Sequence, residues 1–472
     1  MASNDHHNHR HHVVLFPFMS KGHTIPVLHL ARLLVRRNAT VTLFTTPANQ
    51  SFISDYLSDL TTTRTFSILS LPFPENIGDG VPPGTESTDK LPEISLWVPF
   101  ARSTHLMKPH FEQSLESLPG PPVTFMVTDG FLPWTLDSAN KYRGGIPRLV
   151  YYGMGNFANA VSRDVSEGGY IHRFDSDDEL FPVPHFPWVK VTRNDFDQPF
   201  TDRKPSGLHF EFIMDCVVSA VNSFGQIVNS FYELEPAYAD FDPRTWSVGP
   251  LCLIEHPRGG ESGRKTPPWM EWLDGMLEKG KPVLYVAFGS QAEISREQFR
   301  EIKTGLEKSE ANFLWVVRKN ETELDDGFEV GSRGIVVREW VDQREILGHQ
   351  SVQGFLSHCG WNSVLESICA RVPILAWPMM AEQPLNARFV AEEIKVGIRV
   401  QTSNGSVRGF VTAEGLEKSV KELMEGETGK EARKKVKEFG DAAMEAVQEG
   451  GSSWKALDDL LTLLHGSETH SR

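Results

Sequence analysis

The sequence predicts an α/β protein built as two successive doubly wound lobes, and three observations carry that prediction. Short apolar runs alternate with longer amphipathic stretches through both halves, which is the parallel α/β pattern. A polar segment rich in Gly, Pro and charge separates the halves. The chain also has 472 residues, beyond the roughly 250–300 at which single hydrophobic cores stop growing.

In the first half the strand-like runs are 13–18 (VVLFPF), 40–46 (TVTLFTT), 65–71 (TFSILSL), 123–128 (VTFMVT) and 147–152 (PRLVYY). After Gly249-Pro250, residues 255–268 (EHPRGGESGRKTPP) carry almost no apolar side chain and read as an exposed linker. The second half repeats the alternation at 283–288 (VLYVAF), 313–317 (FLWVV), 334–338 (GIVVR), 352–357 (VQGFLS) and 373–377 (PILAW). These boundaries predict a first lobe over 1–250, a linker over 251–268 and a second lobe over 269–453. In open parallel sheets ligands sit at the carboxyl ends of the strands, so the loops after the strands are where functional residues are expected.

Composition narrows the function. Forty per cent hydrophobic and 23% charged residues describe an ordinary globular chain. A formal net charge of -15 repels a polyphosphate backbone, so nucleic acid is not an expected partner. A nucleotide remains compatible, because helix N-termini and a few local donors suffice to bind a diphosphate. Cys216, Cys252, Cys359 and Cys369 form no C-x-x-C pair, which points away from a disulfide framework or a zinc site and toward a reducing compartment. Met1 to His12 lack a secretory pattern, and no apolar stretch is long enough for a membrane span, so a cytoplasmic protein is expected. His6, His7, His9, His11 and His12 read as a mobile polar terminus without a role.

Three motif-like segments point elsewhere than their patterns suggest. Gly153 to Ala158 matches G-x-G-x-x-A, but it follows a late strand and lacks the acidic residue of a dinucleotide site. Gly275 to Lys281 is spaced like a Walker A loop, yet Pro282 stands where Ser or Thr is required. Asp175-Ser176-Asp177 resembles a metal-binding D-x-D but lies in an acidic, turn-like run.

The most informative segment runs from Trp340 to Gln383, WVDQREILGHQSVQGFLSHCGWNSVLESICARVPILAWPMMAEQ. It resembles the signature box of plant family 1 UDP-glycosyltransferases, with Trp340, Gln343, His358, Gly360, Trp361, Asn362, Ser363, Glu366, Pro378, Glu382 and Gln383 in register. The resemblance extends to HVVLFPFMSKGHTIP at 12–26, VNSFYELE at 228–235 and YVAFGSQAEIS at 285–295, and the N-terminal phrases are most similar to the group C branch. It implies a GT-B fold, two Rossmann-like lobes with the acceptor bound mainly by the first and the UDP-sugar mainly by the second. It also implies a C-terminal helix crossing back to the first lobe, for which about 454–472 is the candidate.

The chemistry of these residues suits that implication. Gly360-Trp361-Asn362-Ser363 open a helix after a buried strand and present free N–H groups to a diphosphate, with His358, Asn362 and Ser363 as phosphate ligands. By resemblance Trp340 stacks on uracil, the Val341 backbone and Gln343 contact the base and ribose region, and Glu366 accepts from the ribose hydroxyls. Gly22 and Gly289-Ser290 let backbone and hydroxyl donors approach the donor from the opposite side. The resemblance places Glu382, Gln383 and the backbone and ring of Trp361 at the sugar, a trio that in this family favours glucose.

His23, just after the first strand, occupies the position of the family's general base, and Asp129, ending another strand, is its proposed orienting partner and turn cap. The implied reaction is one inverting displacement in which the acceptor hydroxyl attacks the anomeric carbon as UDP leaves. Helix N-terminus and polar side chains stabilise the leaving group, so no metal or other cofactor is expected and the UDP-sugar is a co-substrate. Phe18, Met19, Ile94, Trp97, Phe131, Met154, Phe157 and Phe186, with Leu91, Phe100, Trp134 and Trp188 nearby in the pattern, form the candidate acceptor lining for a flat phenolic such as a flavonoid. The expected form is a monomer.

Asp342, Glu382 and Gly153 depart from the family's usual residues. Gly153 removes a hydroxyl that could touch the sugar's primary alcohol, which leaves another UDP-sugar open beside glucose. A C-glycosyltransferase and a non-catalytic UDP-sugar-binding protein are the remaining alternatives.

Overall fold

The computed structural model describes residues 11–75, 77, 80–254, 266–289, 291–317 and 330–468. Ser290 and residues 255–265 of the expected linker lie outside the described residues. So do His6, His7 and His9 of the polar terminus.

The first sheet uses strands β1 (His12–Phe16), β2 (Thr40–Thr45), β3 (Phe66–Ser70), β4 (Phe125–Asp129) and β5 (Arg148–Tyr151). A small hairpin, β6 (Phe181–Pro182) with β7 (Lys190–Val191), precedes β8 (Gly225–Val228) and β9 (Thr245–Ser247). The seven-stranded order is β3-β2-β1-β4-β5-β8-β9, with parallel pairing throughout. The second sheet, β10 (Val283–Ala287), β11 (Asn312–Val316), β12 (Gly334–Val337), β13 (Val352–Ser357), β14 (Ile374–Ala376) and β15 (Gly397–Arg399), has the order β12-β11-β10-β13-β14-β15. Both sheets reverse their winding between the first strand and the fourth, so each has a switch point, at β1/β4 and at β10/β13. This is the GT-B arrangement of two Rossmann-like lobes.

The strands that sequence patterning leaves out are short or diluted. β8 opens with Gly and Gln, while β9 and β15 are three residues each, too brief for alternation to register. The polar-terminus reading is corrected at its end. His12 begins β1 and is 1% exposed, because Nδ1 meets the Pro121 carbonyl at 2.7 Å and Nε2 meets Thr42 Oγ1 at 2.9 Å. Burial lowers its pKa, a tendency that the bond to Pro121 opposes, and His11 beside it is buried as well.

Two further features hold the lobes in register. The C-terminal helix Ser452–Glu468 lays Leu457, Leu460 and Leu464 into the cluster formed by Val13, Leu15 and Val127. Arg37 stacks over Trp454 at 3.4 Å and pairs with Asp458 at 2.7 Å. A second cluster joins Phe157, Phe186 and Tyr238 to Trp361, Leu365 and Phe389, so the lobes share one packed core. A hydrophobic joint of this kind restricts relative motion to movements that keep it packed.

Candidate active site

The site begins where β1 and β4 end side by side, Phe16 in register with Thr128. The helix Lys21–Arg36 starts directly after, which puts His23 in its first turn, while Asp129 is the last residue of β4. His23 Nδ1 lies 2.7 Å from Asp129 Oδ2, and Asp129 Oδ1 accepts from the Phe131 amide at 3.0 Å. A carboxylate only accepts, so Nδ1 is the donor and Nε2 is left as the proton acceptor. Burial disfavours the imidazolium, but Asp129 and more weakly Glu382 outweigh it, and the net effect raises the His23 pKa. Behind Asp129, the buried Arg148 donates Nη2 to the Asp129 carbonyl at 3.1 Å and Nε to Thr128 Oγ1 at 2.8 Å.

The second lobe answers with β10 and β13, Ala287 in register with Ser357. The residues after them, Gly289 and His358, are consequently neighbours. A Cβ on Gly289 would fall 2.6 Å from His358 Nε2, and one on Gly360 would fall equally close at 2.6 Å, so the ring occupies a slot that two glycines leave open. Gly289 also has φ +76°, which suits glycine. Gly360 then caps the helix Trp361–Cys369 without a side-chain acceptor, leaving the first-turn amides for an anion.

Further along that helix, Gln343 Nε2 donates to Ser363 Oγ at 2.9 Å and to Glu366 Oε2 at 2.7 Å. Burial pushes the Glu366 carboxyl up to about 7, against the Gln343 bond and Arg344. Trp340 is 65% exposed, an open ring face at the mouth, and the adjoining Val341 is buried. Asp342 has a structural reason to be there: it caps the helix Gln343–Leu347, accepting from the Arg344 amide at 3.0 Å.

The Asn362 side chain ties the two sets together across the cleft. Asn362 Nδ2 donates to the Gly22 carbonyl at 2.6 Å. That carbonyl is available because Pro26, four residues on inside the helix, has no N–H to offer it. The sequence G-H-T-I-P thus frees a first-lobe acceptor for a second-lobe amide.

The sugar-end residues are placed less simply. Glu382 accepts from Asn386 Nδ2 at 3.2 Å, and burial raises its pKa, with His23 opposing across the cleft. Gln383 uses its carbonyl on the Met379 and Met380 amides, both at 3.0 Å, so its –NH2 is the end left for a ligand. The expectation for the Trp361 ring is corrected. The indole is 2% exposed, donates to the Asn229 carbonyl at 2.7 Å, and lies where a Cβ on Gly155 would be 2.6 Å away. It packs the lobe joint with Gly155, whereas Gly153 faces the site, where a Cβ would lie 3.6 Å from His23 Nε2.

An aromatic wall rises beside His23. Phe131 has its centroid 5.3 Å from the His23 ring, 5.5 Å from Phe18 and 4.8 Å from Trp97. Tyr152 and Phe212 complete it at 6.0 and 6.4 Å from Phe131; sequence patterning missed both, Phe212 because it sits in a helix whose apolar residues are spread around it rather than gathered on one face. Met19 is buried in the same cluster, with Phe100 and Trp134 in its core and Leu91 at its margin. Five expected lining residues are not brought here. Phe157 and Phe186 pack on Tyr238 in the lobe joint, with Met154 against the same cluster. Ile94 is 39% exposed and outside the aromatic cluster, and Trp188 is likewise exposed.

The other sequence motifs resolve as structure. Gly275 lies inside the helix Pro268–Glu278, and Asp177 pairs with Arg193 at 2.7 Å. Among the described residues no helix is long and apolar enough to cross a membrane.

Comparison with known proteins matches this geometry. Residues 264–439 match the family described as UDP-glucoronosyl and UDP-glucosyl transferase. The chain is 55% identical over 470 residues to UDP-glycosyltransferase 90A1 of Arabidopsis thaliana, covering 96% of both chains. It is 50% identical over 467 residues to UDP-glycosyltransferase 90A2 of the same plant, covering 95% of this chain and 97% of the other. Among solved structures, Glycyrrhiza uralensis UGT73P12 complexed with glycyrrhetinic acid 3-O-monoglucuronide superposes with a TM-score of 0.85 at 30% identity, over 98% of this chain and 97% of that one. Phytolacca americana UGT2 complexed with UDP-2fluoro-glucose and pterostilbene gives 0.77 at 30% identity, over 96% and 100%.

Proposed function

The chain belongs to the plant family 1 UDP-glycosyltransferases, enzymes that transfer a sugar from a UDP-sugar, and from that premise we propose that it moves glucose from UDP-glucose to a hydroxyl of a small phenolic acceptor. The observation that carries the reading is the His23–Asp129 pair at 2.7 Å, set against an aromatic wall and facing a helix N-terminus in the other lobe that has no side-chain cap.

The acceptor hydroxyl gives its proton to His23 Nε2 as its oxygen bonds to the anomeric carbon. The bond from that carbon to the UDP oxygen breaks on the opposite face, inverting the centre. Asp129 stabilises the imidazolium that forms, and it returns the proton to solvent after product leaves. Charge on departing UDP falls on the first-turn amides of the helix Trp361–Cys369 with His358, Asn362, Ser363 and Ser290, and this local set is sufficient without a metal. Trp340, Val341, Gln343 and Glu366 hold the nucleoside. Glu382 and Gln383 take the sugar hydroxyls, with Gly22 lining the approach, and Phe18, Trp97, Phe131, Tyr152 and Phe212 take the acceptor ring. The enzyme acts as a cytoplasmic monomer.

Relatives support the acceptor class without fixing it. UDP-glucose flavonoid 3-O-glucosyltransferase 7 of Fragaria ananassa is 34% identical over 480 residues. Arabidopsis thaliana UGT89C1, 27% identical, has been solved with quercetin and also with UDP-L-rhamnose, so donor choice needs its own test.

That test is product mass and UDP release with UDP-glucose, UDP-xylose and UDP-rhamnose against flavonol, simple-phenol and terpenoid-alcohol acceptors. One added hexose on a phenolic, acid-labile as an O-glycoside, unaffected by chelator and reduced about a thousandfold or more in His23→Ala, is the expected result. Transfer that persists in His23→Ala removes the base, and no transfer from any donor sinks the reading.

A further inference from the structure

The turn that delivers Glu382 and Gln383 is capped from two places. Its first two amides, Met379 and Met380, are taken by the Gln383 side-chain carbonyl. The third amide, Ala381, is taken by Asp197 Oδ2 from the first lobe. Ala381 has φ +53°, a left-handed conformation in a residue that carries a Cβ, which costs about 1–2 kcal/mol unless neighbouring contacts enforce it.

Asp197 is itself fixed. Its Oδ1 accepts from Arg408, which also donates to the Asn194 carbonyl at 2.9 Å and the Phe196 carbonyl at 3.1 Å. Two residues earlier, the buried Asp195 pairs through Oδ2 with Arg388 Nε at 2.7 Å. Arg388 ends the short helix Gln383–Arg388 that follows the turn. The first-lobe segment 192–197 therefore grips the sugar-facing element at both ends, Asp197 at its entrance and Asp195 at its exit.

We propose that Asp197, outside the donor motif and in the opposite lobe, is a positioning residue that holds Ala381 in its left-handed turn and so aims Glu382 and Gln383 at the donor sugar. The inference rests on the proposed function's assignment of these two residues to the sugar. It predicts that the UDP portion, held on other elements, does not feel Asp197.

The experiment compares wild type, Asp197→Ala, Ala381→Gly and the double variant. Binding of UDP-glucose and of UDP is measured by calorimetry, and kcat/KM is measured for UDP-glucose and UDP-xylose. Asp197→Ala is expected to weaken UDP-glucose about tenfold, the scale of one hydrogen bond to a charged group, while UDP binding and the acceptor KM stay within about twofold. Its preference for UDP-glucose over UDP-xylose narrows. Glycine adopts positive φ without penalty, so adding Ala381→Gly recovers part of that loss. Unchanged UDP-glucose affinity in Asp197→Ala, or an equal fall for UDP, overturns the proposal, as does a double variant no better than Asp197→Ala. A wild type that binds UDP-glucose but transfers nothing sinks the proposed function alone, and the binding comparison still decides the role of Asp197.

Discussion

The two sides of the cleft are made from the same strand–loop–helix unit, yet they do their work with different parts of it. In the second lobe the working groups are the backbone and the residues next to it: a helix start capped by Gly360, a His358 ring slotted between glycines, and Gln343 tying Ser363 to Glu366. In the first lobe they are side chains drawn from distant segments, with Phe18, Trp97, Phe131, Tyr152 and Phe212 meeting around His23. A backbone site recognises what every UDP-sugar shares and tolerates little change. A side-chain wall is a packing solution, and packing solutions can be exchanged at moderate cost.

The largest effect should come from the proposed base and its partner on the first-lobe side. Asp129→Asn keeps the shape but withdraws the charge that raises the His23 pKa against burial. Turnover is expected to fall about a hundredfold, because the imidazolium formed on proton uptake loses its counter-charge. The pH profile must move as well. A base works when neutral, so the wild-type acidic limb of kcat/KM lies above the ordinary imidazole value of 6.5, where the raised pKa places it. In the variant burial acts unopposed by Asp129, and the limb moves below the wild-type position. A limb that stays put would separate Asp129 from the base and make the first-lobe side purely a packing surface.

A smaller effect should come from adding a methyl to the backbone side. Gly289→Ala and Gly360→Ala both bring a Cβ to 2.6 Å from His358 Nε2, but Gly289 has φ +76° and Gly360 has φ -57°. The Gly360 variant therefore displaces the ring alone, while the Gly289 variant adds backbone strain of about 1–2 kcal/mol. UDP affinity is expected to drop about tenfold in Gly360→Ala and further in Gly289→Ala, with the acceptor KM unmoved in both. Equal losses in the two would mean that the slot around His358, rather than the turn after β10, sets the whole effect.

The same contrast explains what the sequence revealed. The second-lobe site is contiguous from Trp340 to Gln383, so its resemblance to the family's signature box is legible in one stretch, and its glycines and polar residues sit where helix and strand ends require them. Even the Asp342 departure reads correctly once its cap to Arg344 is seen. His23 is legible through the resemblance, which puts it at the family's base position, and Asp129 as the carboxylate that ends a clear strand and can orient that imidazole. The wall is not, because an aromatic residue lining a pocket and one filling a core obey the same hydrophobic pattern. Phe157 and Phe186 read as lining and belong to the lobe joint, whereas Tyr152 and Phe212, which the pattern does not single out, belong to the wall. Cross-lobe contacts such as Asn362 to Gly22, or Trp361 under Gly155, have no local signature at all, since each partner's reason lies in the other lobe.

The smallest effect tests the exchangeable side. Phe131 touches His23, Phe18 and Trp97 and is only partly buried, so Phe131→Leu removes ring contact with an acceptor while leaving an apolar filler. Losing one aromatic contact of about 0.5–1.5 kcal/mol corresponds to a few-fold change. The expected outcome is a few-fold higher KM for flat phenolic acceptors, a smaller change for terpenoid alcohols, and no change in UDP-glucose binding. Reordering of the acceptor panel without loss of donor affinity is what a wall built by packing allows. A fall in UDP-glucose affinity would instead mean that Phe131 acts through His23 on the donor, and the two sides of the cleft would no longer be separable.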